Sequence, residues 1–159
     1  MFQLKFLLNN QKFYFLFSFL FYNLNMLDPE IIKFLVNWIN NNTHFNGLLF
    51  DFDVILLKAE EIQMIACRGK CPILGFFLPE EGIYISELDF NHLCNKSILL
   101  HEMIHALQHI NGENLQDIFR EKEAYQIQNK FLIEESSKSE SLQLLNLKKC
   151  RSIQTNVLN

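Results

Sequence analysis

The sequence predicts an α+β fold, in which helices pack against a small, mostly antiparallel sheet. First, a chain of 159 residues suits one compact domain. Second, 49% of the residues are hydrophobic and 20% are charged, a composition that forms a core rather than a disordered chain. Third, several segments carry apolar residues at helical spacing, whereas short apolar runs flank a turn at residues 79–82. The net charge of −4 indicates no basic surface, so we expect no nucleic-acid partner.

The first 27 residues differ from the rest of the chain. Lys5 and Lys12 precede a run over residues 13–22 that is apolar except for Ser18. A basic flank followed by a short apolar run is typical of a secretory signal, whereas a membrane span needs about 20 apolar residues. An export signal, a membrane-associated anchor and an untranslated leader with a true start at Met26 all stay open. The sequence therefore leaves the compartment undecided.

The globular domain is predicted over residues 28–135, and it begins with a helix. Asp28 suits the N-cap and Pro29 the first helical position, and apolar residues then recur at helical spacing up to Asn40. Further elements follow from apolar runs and turn residues. We predict a strand over 48–57, a helix over 58–66, a hairpin of 73–77 and 83–86, and helices over 95–110 and 115–135. Residues 136–159 are expected to form a peripheral tail.

The sequence His101-Glu102-Met103-Ile104-His105 is an H-E-x-x-H motif inside the predicted helix over 95–110. Four residues turn a helix by about 400°, so both histidines project from nearly the same face and can bind one metal ion. Glu102 lies about 100° around the helix from His101, where it can touch a metal-activated water without being a ligand. The arrangement suits zinc, which lowers the pKa of water while a carboxylate accepts the proton.

Apolar neighbours strengthen the interpretation of this motif as a metal site. Ile98 to Leu100 precede it, and Ala106 and Leu107 follow it. Burying two imidazoles and a carboxylate without partners would cost on the order of several kcal/mol. The alternative is that the histidines are core residues satisfied by hydrogen bonds. His109 lies about 12 Å along the axis from His101, too far to share an ion with it, and is expected at a cleft edge or on the surface.

The predicted helix over 115–135 supplies candidates for a third ligand. Glu121-Lys122-Glu123-Ala124-Tyr125 resembles the E-x-x-[AS]-[DN] pattern of gluzincin metallopeptidases, except at its last position. The resemblance implies that Glu121 is the third ligand and that Ala124 lets two helices approach closely. Glu123 is the rival, although it projects about 200° away from Glu121. In that family, the residue at the position of Tyr125 supports a histidine ligand. Three alternatives stay open here: the Tyr125 hydroxyl takes that role, Gln128 takes it, or no residue does.

The resemblance also implies a fold and an activity. The fold is a minimal zincin-like domain, in which the active-site helix packs on the second, Glu-bearing helix. The hairpin strand Gly82–Ser86 is then an edge strand that pairs with an extended peptide or protein substrate. One Zn²⁺ per chain is held by His101, His105 and Glu121, and Glu102 acts as the general base.

Other residues are left with open roles. Cys67 and Cys71 are similar to a cysteine pair in some small bacterial proteins of this kind, and they suit a disulfide in an exported protein or, alternatively, a structural zinc site. The candidates for stabilising an oxyanion are Tyr84, Tyr125, His92 and His109.

Two other functions compete with a zinc peptidase. One is a non-catalytic zinc protein, in which the metal joins two helices and a fourth protein ligand replaces the water. The other is a small membrane-associated interaction protein whose motif arose by chance. The metal content and the fourth ligand position distinguish the three.

Overall fold

The computed structural model of this chain describes residues 27–112 and 116–138. The predicted α+β class is confirmed. The described chain also contains a 3₁₀ turn at Gly47–Leu49. Its helices and strands are α1 (Pro29–Asn42), β1 (Val54–Leu57), α2 (Ala59–Cys67), β2 (Gly75–Leu78), β3 (Gly82–Ser86), α3 (Leu93–Ile110) and α4 (Asp117–Ser137). The apolar run at 13–22 and the chain beyond residue 138 lie outside the described residues.

Helix α1 begins where the sequence predicts. The Asp28 side chain accepts a hydrogen bond from the Glu30 N–H at 3.0 Å, and Pro29 occupies the first turn, where no donor is needed. The helix buries Leu35, Trp38 and Ile39. The Trp38 ring packs edge-on against Phe131 of α4 with 5.1 Å between ring centroids, which joins the first and last helices.

The predicted strand over 48–57 is wrong in its first half. Residues Gly47–Leu49 form a 3₁₀ turn, and only Val54–Leu57 is a strand. Local side chains take the backbone donors at the turn: Asn40 Oδ1 accepts from the Gly47 N–H at 2.7 Å, and Asn46 Oδ1 accepts from the Leu48 N–H at 3.1 Å. Such local bonds compete with strand pairing, which explains the shorter strand.

The sheet has the strand order β1-β3-β2, and it is mixed rather than mostly antiparallel. Strands β2 and β3 form the predicted antiparallel hairpin, with Phe77 opposite Ile83. Strand β1 pairs parallel to β3, with Val54 opposite Ile83. The expectation that Gly82–Ser86 is an edge strand is therefore wrong, because β1 covers its other side. The edge of the hairpin is β2.

Helix α3 carries the centre of the core. It packs against α4 and against the hairpin strands. Fully buried apolar residues along it include Leu99, Leu100, Met103 and Ile104. It begins at Leu93, two residues earlier than predicted, and Gly112 follows its end with φ +64°, the left-handed conformation expected there. Helix α4 continues to Ser137, so the predicted tail begins inside this helix.

Cys67 and Cys71 are joined by a disulfide at the end of α2. The structure therefore favours the disulfide over a zinc site at this pair. Within the described ranges, every helix is too short or too polar to cross a membrane.

Candidate metal centre

Two histidines on successive turns of α3 face one another. The Nε2 atoms of His101 and His105 lie 3.0 Å apart. His101 is 7% exposed, so the pair lies at the inner end of a cleft rather than on the surface. The four-residue spacing of the motif produces this geometry, because residues i and i+4 are neighbours on one helix face.

Glu121 reaches the same point from α4. Its Oε2 lies 3.3 Å from His101 Nε2, and its Oε1 lies 3.2 Å from His105 Nε2. Ala124, one turn later on α4, is fully buried in the same core cluster as the apolar residues of α3. His101, His105 and Glu121 thus form a group that could hold a metal ion.

The spacing of these donor atoms fits a tetrahedral ion. With bonds of about 2.0–2.1 Å, two ligands of a tetrahedral zinc lie about 3.3 Å apart. Here the two Nε2 atoms lie 3.0 Å apart, and each lies 3.2–3.3 Å from a different oxygen of Glu121. Two imidazoles and a carboxylate are also a donor set that zinc binds readily. The residues present therefore fit the ion.

The charges of the group perturb one another. Hydrogen bonds from His101 and His105 hold the pKa of Glu121 far below its ordinary value, and burial opposes this only in part. Burial lowers the pKa of His105, but the hydrogen bond to Glu121 and the charges of Glu102 and Glu121 outweigh it, so that pKa is raised overall. Glu121 is thus ionised at neutral pH, which is the form that binds metals.

Glu102 lies beside the group without belonging to it. Its side chain packs against β2, where a Cβ added to Gly75 would lie 3.2 Å from Glu102 Cγ. Burial raises the pKa of Glu102, the charges of His101 and His105 oppose this, and Glu121 adds to it. A carboxylate with a raised pKa is a stronger proton acceptor than an exposed one.

A cavity of about 550 Å³ opens onto these residues. His101, Glu102, His105 and Glu121 line it, so the metal position and the buried carboxylate share one space. Its further walls come from β2, from α3 and from the first turns of α4. Apolar contributors include Ile73, Phe76, Phe77 and Ile98, and the ion pair of Arg120 with Asp117 also lines the cavity. Such a cavity can hold an apolar side chain beside a polar backbone.

Of the remaining candidates, Tyr125 and His109 also line the cavity. The Tyr125 ring packs against His101 with 4.4 Å between ring centroids. His109 is exposed and lies near Phe77, 5.8 Å between centroids, as expected for a cleft edge. The other two candidates lie elsewhere: the Tyr84 hydroxyl donates to Glu81 at 2.5 Å, and His92 lies 3.4 Å from Asp89.

Glu123, the rival ligand, points away from the metal group. Its Oε2 accepts from Gln108 Nε2 at 2.8 Å, and its Oε1 lies 3.7 Å from His44 Nε2. Gln128, a candidate support for a histidine, instead donates to Ser97 Oγ at 3.1 Å.

Sequence reasoning missed Gln108. This fully buried residue contacts His105 Nδ1 through its Oε1 at 2.9 Å. A signal existed, because Gln108 is a polar residue three positions after His105 and directly follows the apolar pair Ala106 and Leu107. Comparison with known proteins found no relative: no family model, no curated protein and no solved structure matches the chain.

Proposed function

We propose that this protein is a zinc-dependent peptidase that hydrolyses peptide bonds with an activated water. One observation carries the proposal: His101, His105 and Glu121 converge on one point, and buried Glu102 lies beside that point in the same cavity. A zinc ion bound by the three residues would supply Lewis-acid polarisation of a carbonyl and would lower the pKa of water.

Glu102 takes the role of general base. It accepts a proton from a water in the cavity, and the same carboxyl later donates that proton to the nitrogen of the leaving amine. Burial suits it to both tasks, because a raised pKa brings the carboxyl closer to neutral pH than an exposed glutamate. The charges of His101 and His105 oppose that rise, because they favour the ionised carboxylate.

An extended substrate has an edge strand to bind. In the described part of the chain, β2 pairs only with β3, and its residues Gly75–Phe77 line the cavity. A peptide added beside β2 would form main-chain hydrogen bonds and would run past Glu102. This moves the expected substrate strand from Gly82–Ser86 to Gly75–Leu78.

The open side of the group favours catalysis over a purely structural zinc. Among residues 27–112 and 116–138, three residues make up the group, and the Glu121 side chain is 49% exposed. A structural zinc is enclosed by four protein ligands, whereas a catalytic one keeps a position for water or substrate.

The test separates metal binding from chemistry. Purified protein should contain one zinc per chain by elemental analysis, and it should cleave members of a random peptide library, read by mass spectrometry. Glu102→Gln should keep the zinc and lose cleavage by at least about 100-fold, in line with loss of a general base. Glu60→Gln, an exposed glutamate on α2, is the matched control and should cleave normally. Zinc-loaded protein that cleaves no library member, or equal cleavage by Glu102→Gln, would contradict the proposal.

A further inference from the structure

Gln108 connects His105 to α4 through three hydrogen bonds. Its Nε2 lies 3.1 Å from the Arg120 carbonyl oxygen and 2.8 Å from Glu123 Oε2. Its Oε1 lies 2.9 Å from His105 Nδ1. The residue is fully buried, so these contacts replace water rather than compete with it.

The partners on α4 fix the orientation of the amide. A carbonyl oxygen and a carboxylate oxygen are both acceptors, so the group that faces them must be the NH₂ of Gln108. The reversed amide would place its oxygen against two other oxygens and leave them without donors. The Oε1 atom must therefore face His105.

The orientation of the amide in turn fixes the proton on His105. An amide oxygen only accepts, so Nδ1 of His105 must be the donor. A neutral imidazole protonated at Nδ1 has its lone pair on Nε2. That lone pair points at the region shared with His101 Nε2 and Glu121 Oε1, 3.0 and 3.2 Å away.

We propose that Gln108 is a positioning residue, which holds the proton of His105 on Nδ1 and so presents the Nε2 lone pair to the metal, with Glu123 as its anchor. The role in metal binding rests on the proposed zinc site. The fixed proton itself does not depend on a bound metal. The inference gives the second glutamate of Glu121-Lys122-Glu123 a function: Glu121 faces the metal, and Glu123 orients the amide behind His105.

The two histidines differ in this respect. Within the described residues, His101 Nδ1 is buried and makes no hydrogen bond. Of the two histidines, only His105 therefore has a side chain bound at Nδ1, behind the metal-facing Nε2. Supporting residues of this kind typically change metal affinity by 10–100-fold when they are replaced.

The first test replaces the amide with a group of similar length. Gln108→Met removes all three hydrogen bonds and keeps most of the volume. In metal-free protein, at a pH above the pKa of His105, ¹H–¹⁵N correlation spectra of the imidazoles should show the Nδ1–H tautomer in the wild type. The variant should show a mixture of tautomers. Its zinc dissociation constant, measured by competition with a chromophoric chelator, should rise by about 10–100-fold.

Gln128→Met is the matched control, because Gln128 is a buried amide on α4 that bonds Ser97 and not His105. It should leave the His105 tautomer unchanged. Thermal unfolding of both variants shows whether each is folded.

A charge exchange keeps the inference testable if Gln108→Met fails to fold. Gln108→Glu places a carboxylate against Glu123 and against the Arg120 carbonyl oxygen, so it is combined with Glu123→Gln, which supplies an amide that can donate to the new carboxylate. In the double variant the carboxylate at position 108 still accepts from His105 Nδ1–H, so the Nδ1–H tautomer should be kept and zinc should bind at least as tightly as in the wild type, to within about threefold. A folded double variant whose His105 carries its proton on Nε2 would overturn the inference. So would a wild-type His105 protonated at Nε2, or a Gln108→Met variant with unchanged tautomer and affinity.

Failure of the Gln108 inference can be distinguished from failure of the proposed peptidase function. A wild type that binds no zinc contradicts the peptidase proposal, while the tautomer measurement still decides the role of Gln108. A wild type that binds zinc with the Nε2–H tautomer in its metal-free form contradicts the role of Gln108 alone.

Discussion

Replacing Gly75 with alanine should slow peptide cleavage without weakening metal binding. An added Cβ would lie 3.2 Å from Glu102 Cγ and 3.4 Å from its Oε1. On the other side it would lie 3.2 Å from the Tyr84 carbonyl oxygen, which belongs to the backbone of β3. Backbone yields less readily than a side chain, so Glu102 should move by a few tenths of an ångström.

The size of the effect follows from that displacement. A catalytic group misplaced by about 1 Å costs about 100-fold in rate. A shift of a few tenths of an ångström then corresponds to a loss of about 3–10-fold in kcat/KM, or about 0.7–1.4 kcal/mol of transition-state stabilisation. Gly75 is not among the glycines with positive φ, so alanine causes no backbone strain there. None of the three heavy atoms nearest to the new methyl group belongs to a metal ligand.

The assay measures kcat/KM on a peptide identified by the library screen, together with the zinc dissociation constant. Gly112→Ala is the control: its Cβ would meet nothing within 4 Å, but its φ of +64° makes alanine strained. That variant should lose stability by about 1 kcal/mol and keep wild-type cleavage while folded. Cleavage by Gly75→Ala at the wild-type rate, or a loss of zinc affinity that matches its loss of rate, would refute the reasoning.

Three further predictions concern stability and metal affinity. Ala124→Leu should lower the free energy of unfolding by about 1–3 kcal/mol and weaken zinc binding, because the larger side chain forces α3 and α4 apart at a fully buried position. Urea unfolding measures the first effect, and chelator competition measures the second. The metal-free protein should become less stable as pH rises above about 6.5. Burial lowers the pKa of His105, but Glu121 and Glu102 raise it more, so the folded state binds this proton more tightly than the unfolded state does. Thermal unfolding of the metal-free form at pH 6 and pH 8.5 checks the sign. A change in the opposite direction would contradict this. Replacing both Cys67 and Cys71 with serine should lower the free energy of unfolding by about 2 kcal/mol, as expected for a short closed loop, and equal stability of variant and wild type in a urea titration would contradict it.

Local signals made parts of this protein predictable from sequence. Asp28 and Pro29 start α1 through contacts with the next residues, so no knowledge of the rest of the fold is needed. The same holds for His101 and His105, because helix periodicity alone brings them to one face. Glu121 was predicted by resemblance to a known pattern, and the structure places it at the two histidines.

The strand arrangement depends on contacts distant in sequence, and it was predicted incorrectly. The hairpin of β2 and β3 is local, but the parallel pairing of β1 with β3 joins residues about 30 positions apart. Nothing in the alternation of apolar residues distinguishes a central from an edge strand here, since β3 is short and apolar in either position. The edge strand beside Glu102 could therefore be identified only from the folded chain.

The role of Gln108 was missed for a related reason. Its partners on α4 are the Arg120 carbonyl and Glu123, and the approach of α4 to α3 sets both contacts. The sequence shows that Gln108 follows His105 by three positions, but it does not show the two partners on α4. The nearby His105 could have suggested that Gln108 supports a metal ligand, because a ligand histidine usually donates the N–H of its second ring nitrogen to an acceptor.

X-ray absorption at the zinc edge tests the metal centre most directly. Protein purified with one zinc per chain should show only nitrogen and oxygen neighbours at about 2.0–2.1 Å, with the multiple-scattering pattern of two imidazoles. That pattern should fall to one imidazole in His105→Ala. Sulfur neighbours at about 2.3 Å, or an unchanged spectrum in His105→Ala, would contradict a site built from His101, His105 and Glu121.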